Sequence, residues 1–476
     1  MAAAPVSSAC ADVLHHAKDS RLREPALAAE LDAADGLAKF RDEFILPTNR
    51  SINAALASQT APDVSCTYLC GNSLGAMPRL AEKRVHEELR VWATQAVEGH
   101  FKHSLNRDWL TAADLTHPIL AQLLGADEGE VACMGTLTSN LHLLMNSFYK
   151  PTTARYKIIC ESRAFPSDQY AFASQAIAHG FNPKEAVVEL VPRSGEHYLR
   201  DEDILAAIKE NGPSLALVIF PGVQYFTGQA FNIPAITEAA HSEGAVCGWD
   251  LAHGAGNLHL QLHDWNVDFA VWCSYKYLNA GPGAIAGLFI HSSREGREQP
   301  RYAGWWGHDL ATRFQMPSLF KPIPGAQGFQ QSNPNVLSIA ALLGSLEVFK
   351  AAGGMSALRA KAAPLTRYLE RLLETSPHYV QPETAAAYPG DGKPAFTIIT
   401  PREPTARGSQ LSLMILPAAA EGLMDKVFEA LLARGVVGDE RRPNVIRLTP
   451  IALYNRFEDC RSAAIALDEA FETITL

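Results

Sequence analysis

The chain has 476 residues, with 41 Lys and Arg against 51 Asp and Glu and a formal charge of −10. Apolar residues make up 47% and charged residues 19%, a globular mix; at roughly 100–200 residues per domain it predicts two or three domains. The acidic balance argues against nucleic acid or an anionic membrane as partner, because both select Lys and Arg on the contact face.

Residues 1–50 read as amphipathic helices, with Leu27, Leu31, Leu37 and Phe40 spaced for one face. No basic stretch precedes an apolar one near residue 1, and the terminal Thr-Ile-Thr-Leu matches no sorting signal. No apolar run approaches the roughly 18 residues a bilayer span needs. A cytoplasmic protein with no membrane partner is therefore expected. A further helical stretch covers 77–98. Residues 156–160, 215–220, 245–250 and 268–274 read as strands, and 215–220 is continuously apolar, as in a strand covered on both faces. After that strand Asn232 offers an N-cap, Pro234 sits near the first helical turn and Gly244 ends the helix. This rhythm predicts an α/β fold with a mostly parallel sheet.

A Pro/Gly cluster at 322–328 precedes a long helical pattern over about 335–375. A loop at about 381–394, strands at 395–400 and 409–415 and a helix at 419–434 follow. The expected organisation is a helical segment 1–50 packing with the small domain, a large domain 51–340, and a smaller α+β domain 341–476. Eight cysteines show no framework spacing and several sit in apolar runs, which predicts buried free thiols in a reducing compartment. Cys66 and Cys70 have no second ligand pair, so no metal site is expected.

The chemistry lies in where polar residues fall. The 245–250 strand ends in Asp250, followed by Leu-Ala-His253; the 268–274 strand runs into Tyr275 and Lys276. Ligands of parallel α/β sheets bind beyond the carboxyl ends of the strands, so a carboxylate, an imidazole and an amine reach one crevice. A lysine there can form a Schiff base with pyridoxal 5′-phosphate (PLP), whose ring nitrogen needs an anion such as Asp250. Met134–Asn140, before the helical run Leu141–Phe148, offers hydroxyls and N–H groups for a phosphate. Phe165 follows a strand and suits ring stacking. Each piece alone has a plainer reading: a solvated lysine, a turn aspartate, a core histidine, an N-cap at Thr138.

The joint order resembles the aspartate-aminotransferase-like PLP enzymes of fold type I, and within them the kynureninases. The resemblance rests on Cys-Gly-Asn72-Ser73-Leu-Gly, Leu137-Thr138-Ser-Asn-Leu-His, Phe165-Pro166-Ser167-Asp168, Trp-Cys-Ser-Tyr275-Lys276-Tyr-Leu-Asn-Ala-Gly-Pro-Gly, Trp305-Trp-Gly-His, Gln-x-Ser-Asn333-Pro, Arg407-Gly-Ser-Gln and Ile-Arg447-Leu-Thr-Pro. It covers about Tyr68 to Phe457.

It implies hydrolytic Cβ–Cγ cleavage of kynurenine or 3-hydroxykynurenine to alanine and anthranilate or 3-hydroxyanthranilate, within tryptophan catabolism and NAD synthesis. Lys276 would carry PLP as an aldimine and act as the base at the substrate Cα, with help from Tyr275 in the cleavage. Asp250 would face the ring nitrogen and His253 the cofactor. Leu137, Thr138, Phe165, Pro166, Ser167, Asp168 and Tyr275 would surround ring and phosphate. Trp305 and Asn333 would complete the pocket across a homodimer interface. Arg447 would bind the substrate carboxylate, and Ser73 and His100 would lie near its aromatic end. The family pattern has Ser before Gly where this chain has Pro221-Gly222, which removes one hydroxyl contact. A cysteine desulfurase needs a nucleophilic Cys after the cofactor lysine, and none occurs between Cys273 and Cys460. A class V aminotransferase or another PLP lyase is the alternative, and a non-catalytic binding protein fits poorly with retention of Lys276, Asp250 and Arg447.

Overall fold

The computed structural model describes residues 8–16, 18–295, 301–388 and 393–474. The first residues of the expected 1–50 segment, the last two residues of the chain and positions 389–392 of the expected 381–394 loop lie outside the described residues.

The chain forms two compact units: Met1–Arg79, Phe226–Gln229 and Val348–Leu476 make the first, and Leu80–Tyr225 with Ala230–Glu347 the second. Residues 51–79, grouped above with the large domain, fall in the first unit. There Thr67–Tyr68 pairs with Val436–Val437, and Leu69 is buried with Leu413, Ile446 and Leu448.

The second unit is built on a seven-stranded sheet. Its order in space is Val131–Cys133, Gly287–Ile290, Phe269–Trp272, Val246–Asp250, Leu215–Pro221, Lys157–Glu161, Val187–Leu190. All neighbours are parallel except around Gly287–Ile290, which runs antiparallel to both of its own. The strands are apolar on both faces because helices cover both sides. Leu137–Phe148 alone buries Leu141, Leu144, Met145 and Phe148, each stabilising the fold by roughly 1.5–3 kcal/mol. Gly248 leaves room for the ring of Phe269, its register partner on the next strand. The helix Ile233–Ser242 starts as expected, with Asn232 accepting from Ala235 N–H.

The first unit holds an antiparallel sheet in the order Ala395–Ile398, Leu411–Leu416, Val445–Leu448, Asp439–Arg441. Tyr368 of helix Gly354–Glu374 meets Phe457 of helix Phe457–Thr473 at 5.7 Å between ring centroids. Leu27, Leu31, Leu37 and Phe40 are all buried, as their spacing predicts. The expected single helix over 335–375 is instead two, Val336–Ala351 and Gly354–Glu374. Gly353 and Gly354 take φ of 95° and 71°, a left-handed conformation that ends the first helix. No single helix among the described residues is long and apolar enough to cross a membrane.

Two buried carboxylates organise loops of the second unit. Glu88, on helix Arg79–Gln95, accepts from His103 Nε2 (2.8 Å), Arg107 Nε and Nη2 (2.9 and 2.7 Å) and Trp109 Nε1 (2.7 Å). Burial raises its pKa, but these donors outweigh burial and leave it below the ordinary value. Trp109 stands edge-on to His100 at 5.2 Å, so Glu88 fixes the loop that carries His100. Glu130 accepts from Ser292 N–H (2.7 Å), Asp127 N–H (2.9 Å) and His263 Nδ1 (2.9 Å). The His263 ring stacks on His291 at 4.8 Å. Ser293 N–H donates to His291 Nδ1 (3.0 Å), so donors already fill the lone pairs that a cation would take from this Glu–His–His group. Burial pushes Glu130 up, yet its hydrogen bonds leave it lowered; the Glu130 hydrogen bond raises His263.

Glu88→Ala leaves buried cationic and N–H groups unpaired and is expected to cost about 3–5 kcal/mol in denaturant unfolding; a cost under about 1 kcal/mol would refute the hub. The raised His263 contributes stability fully below its unfolded pKa of about 6.5, and that contribution is lost as pH rises through its folded pKa. The lowered Glu130 contributes above about 4.5 and loses its share as pH falls. The gap in unfolding midpoint between wild type and His263→Gln is thus expected to be widest near pH ~6 and to shrink towards pH ~9. A gap constant across that range would contradict the pair.

Candidate active site

The carboxyl ends of the parallel strands converge on one pocket of the second unit. Strand Lys157–Glu161 delivers Glu161, Leu215–Pro221 delivers Pro221, and Val246–Asp250 delivers Asp250 with Ala252 and His253 just beyond. Strand Phe269–Trp272 leads into Tyr275 and Lys276, and Leu137, Thr138, Phe165, Ser167, Asp168, Val223 and Tyr225 complete the walls. Of the residues singled out in the sequence, Leu137, Thr138, Phe165, Ser167, Asp168, Asp250, His253, Tyr275 and Lys276 are thus together. Pro166 opens helix Pro166–Ala178 without lining the pocket.

Lys276 Nζ lies 3.1 Å from His253 Nε2, 5.9 Å from the centre of the Phe165 ring and 5.8 Å from that of Tyr275. Phe165 is 44% exposed, with one edge of its neighbourhood taken by Tyr225 at 5.3 Å in a T-shaped contact. Its ring therefore retains surface for a flat ligand. Asp250 Oδ1 accepts from Ala252 N–H at 2.7 Å. Asp168 lies beside Asp250, and its Oδ1 is buried with no hydrogen-bond partner among the described residues.

Burial pushes Asp168 well above the carboxylate range, reinforced by Asp250 and Glu161 and only partly opposed by the Lys276 ammonium. Burial raises Asp250 as well, while Asp168, the Ala252 N–H and Lys276 favour its ionised form. Burial thus raises both carboxyls of the pair, and Asp168 well above the ordinary range. Glu161 is held well above its ordinary value by burial and by Asp250 and Glu189. Burial and Cys273 raise the Tyr275 phenol, so it holds its proton at neutral pH.

Opposite the carboxyls, Thr138 Oγ1 and Ser167 Oγ are 2.6 Å apart. Helix Leu137–Phe148 starts four residues before the expected run, and its N-cap is Thr136, not Thr138. Thr136 and Ser139 cap one another's N–H groups, and Gly135 takes φ 56° to turn the chain into the helix. That leaves the Thr138 hydroxyl in the pocket, beside the positive end of a helix. Amine, ionised carboxylate, aromatic face and hydroxyl-lined helix terminus are the donor set that PLP requires, and the orphaned Asp168 oxygen marks a polar ligand's place.

The remaining candidates lie elsewhere. In the second unit, His100 Nδ1 donates to Val97 O (3.1 Å), and Trp305 and Asn333 are exposed outside this pocket. Ser73 and Arg447 belong to the first unit; Ser73 is half-buried and Arg447 fully buried on strand Val445–Leu448. Sequence reasoning did not single out Glu161, Val223 or Tyr225 as pocket residues. A carboxylate at the end of a strand, in line with Asp250 two strands away, was the available signal for Glu161.

A class V aminotransferase family model matches residues 77–391, and a model of the kynureninase C-terminal domain matches 358–467. Kynureninase of Yarrowia lipolytica is 47% identical over 91% of this chain and 98% of its own length. Those of Saccharomyces cerevisiae (48%; 91% and 97%) and Nematostella vectensis (47%; 94% and 93%) are similar. Among solved structures, a cysteine desulfurase of Escherichia coli superposes with a TM-score of 0.69 at 18% identity, over 92% of this chain and 99% of that one. A C-DES mutant with glycine covalently linked to its PLP cofactor gives 0.68 at 17%, over 85% and 96%. At such identities these two show the shared PLP-enzyme fold alone. The extent and identity of the first matches settle the family: the chain belongs to the kynureninases, PLP-dependent hydrolases.

Proposed function

We propose that this chain binds PLP through Lys276 and hydrolyses kynurenine or 3-hydroxykynurenine, consuming one water and releasing alanine with anthranilate or 3-hydroxyanthranilate. The observation that carries the reading is the convergence of Lys276, His253 and the Asp168–Asp250 pair in one pocket. Bound there, PLP supplies an electron sink for the pair released at the substrate α-carbon.

The chain's own groups do the rest. Asp250 keeps a negative charge beside the ring nitrogen, and Asp168 keeps its proton and holds Asp250 in place. Thr138, Ser167 and the N-terminus of helix Leu137–Phe148 hold the phosphate. Phe165 and His253 flank the ring. Lys276 Nζ takes the proton from the substrate α-carbon, and Tyr275, beside it, assists the cleavage. Arg447 binds the α-carboxylate, and Ser73 and His100 meet the aromatic end.

An exposed aromatic patch supports a homodimer in which Trp305 and Asn333 serve the partner's site. Trp305, 45% exposed, meets Phe314 at 5.3 Å, and Phe314 meets Phe101 at 6.0 Å. Eight free cysteines support a cytoplasmic setting.

Wild-type protein with PLP is expected to show a visible absorbance band and to convert kynurenine to fluorescent anthranilate and alanine. Lys276→Ala is expected to lose that band and at least about 10²-fold in kcat. A band without anthranilate would overturn the reaction assigned, and no band with added PLP would overturn the cofactor site.

A further inference from the structure

Residues 99–110, all within the second unit, form a loop whose two ends meet. At its neck Trp109 N–H donates to Gly99 O (3.1 Å) and Leu110 N–H to His100 O (3.4 Å). A Cβ on Gly99 would stand 2.8 Å from the Trp109 indole, so the bare backbone there lets the ring lie directly beside His100. The tip faces solvent, with Phe101 50% and Leu105 44% exposed. The root is buried, and one carboxylate holds it. Arg107 donates to Glu88 Oε1, and His103 and Trp109 both donate to Oε2. Within the loop Asp108 Oδ1 accepts from His103 N–H (2.8 Å). His100 stands at the neck. Its ring meets the Trp109 indole at an interplanar angle of 82°. Because its Nδ1 donates to Val97 O, Nε2 of the neutral ring is an acceptor.

A loop with so little regular structure keeps one shape only where its side chains are tied down, and here the ties converge on Glu88. The bond from Trp109 Nε1 to Glu88 Oε2, at 2.7 Å, sets the plane of the indole. The indole edge and the Val97 carbonyl in turn set the His100 ring. An acceptor nitrogen at a fixed angle suits the aryl amine of kynurenine, which donates N–H. We propose that Glu88 is a positioning residue that orients His100, through Trp109, towards the aromatic end of the substrate. The proposal rests on the reading of His100 given above and adds the group that orients it. Glu88, buried at the root of the loop, touches neither substrate nor cofactor, so its loss is felt by ligands that carry the aromatic ring and not by those that carry only the amino-acid part.

The two products divide the substrate into the halves the test needs: anthranilate carries the ring and the aryl amine, alanine only the amino-acid part. Dissociation constants of both are read by equilibrium dialysis against the PLP-loaded enzyme. Glu88→Gln is expected to weaken anthranilate about tenfold or more while changing alanine less than about twofold. Trp109→Phe, which keeps a ring on Gly99 and leaves Glu88 with His103 and Arg107, is expected to shift the two ligands in the same unequal way, and reads the effect if the Gln form does not fold. Weakening of alanine as large as that of anthranilate would reduce Glu88 to a structural role and overturn the proposal. Anthranilate binding unchanged in both variants but weakened in His100→Ala would overturn it and leave the reading of His100 intact. Anthranilate binding that is absent in wild type, or unchanged in His100→Ala, would instead overturn that reading itself.

Discussion

Three carboxyl groups, Glu161, Asp168 and Asp250, are buried in one pocket with a single lysine, and the second unit is arranged to make that tolerable. Ionised together they would leave a net negative charge in a low-dielectric site, which burial forbids. Burial pushes all three up: Glu161 and Asp168 well above the carboxylate range, and Asp250 too, although the Ala252 N–H, Asp168 and the Lys276 ammonium favour its ionised form. PLP chemistry requires one negative charge beside the ring nitrogen, the part assigned to Asp250 in the function proposed above. Strand termini, the Gly248–Phe269 fit and the loop beyond Asp250 all place that one anion.

What was legible in the sequence follows from this. Asp250, His253 and Lys276 announce themselves because polar residues stand immediately beyond apolar strands, a position set by local pattern. Glu161 does not: at the end of a short strand opened by Lys157, a glutamate reads as a solvated terminus, yet tertiary structure buries it in the pocket wall. Thr136 and Thr138 illustrate the same limit. Both are plausible caps by type, and only the mutual hydrogen bonds of Thr136 and Ser139 decide, freeing Thr138 for the pocket. The break at Gly353–Gly354 was masked by an apolar pattern that continues through it, though two adjacent glycines were the available sign.

Glu88 and Asp439 were hidden for a related reason. Each lies in a charged run, Glu-Glu88-Leu-Arg in a helix and Asp439-Glu-Arg-Arg in a strand and turn, where a solvated face is the plain expectation. Tertiary structure selects one charge from each run and buries it against cations drawn from the neighbouring loop or the paired strand. Register explains the second case: a shift of one residue would turn Asp439 away from Arg447, so the pairing of the two strands and the ion pair specify one another.

Pro221 stands where the resemblance noted in the sequence implies a serine. It ends a central strand, paired in register with Asp250, where a proline is tolerable because the next residue, Gly222, supplies the N–H to Asp250 O at 2.6 Å. The backbone link that positions Asp250 is therefore intact. What proline cannot supply is a hydroxyl or an N–H of its own. In the function proposed above, the phosphate then relies on the groups that remain, the Thr138–Ser167 hydroxyl pair at 2.6 Å and the capped helix terminus. On that reading a proline here bears on how tightly the cofactor is held and leaves Asp250, Lys276 and Tyr275 in place.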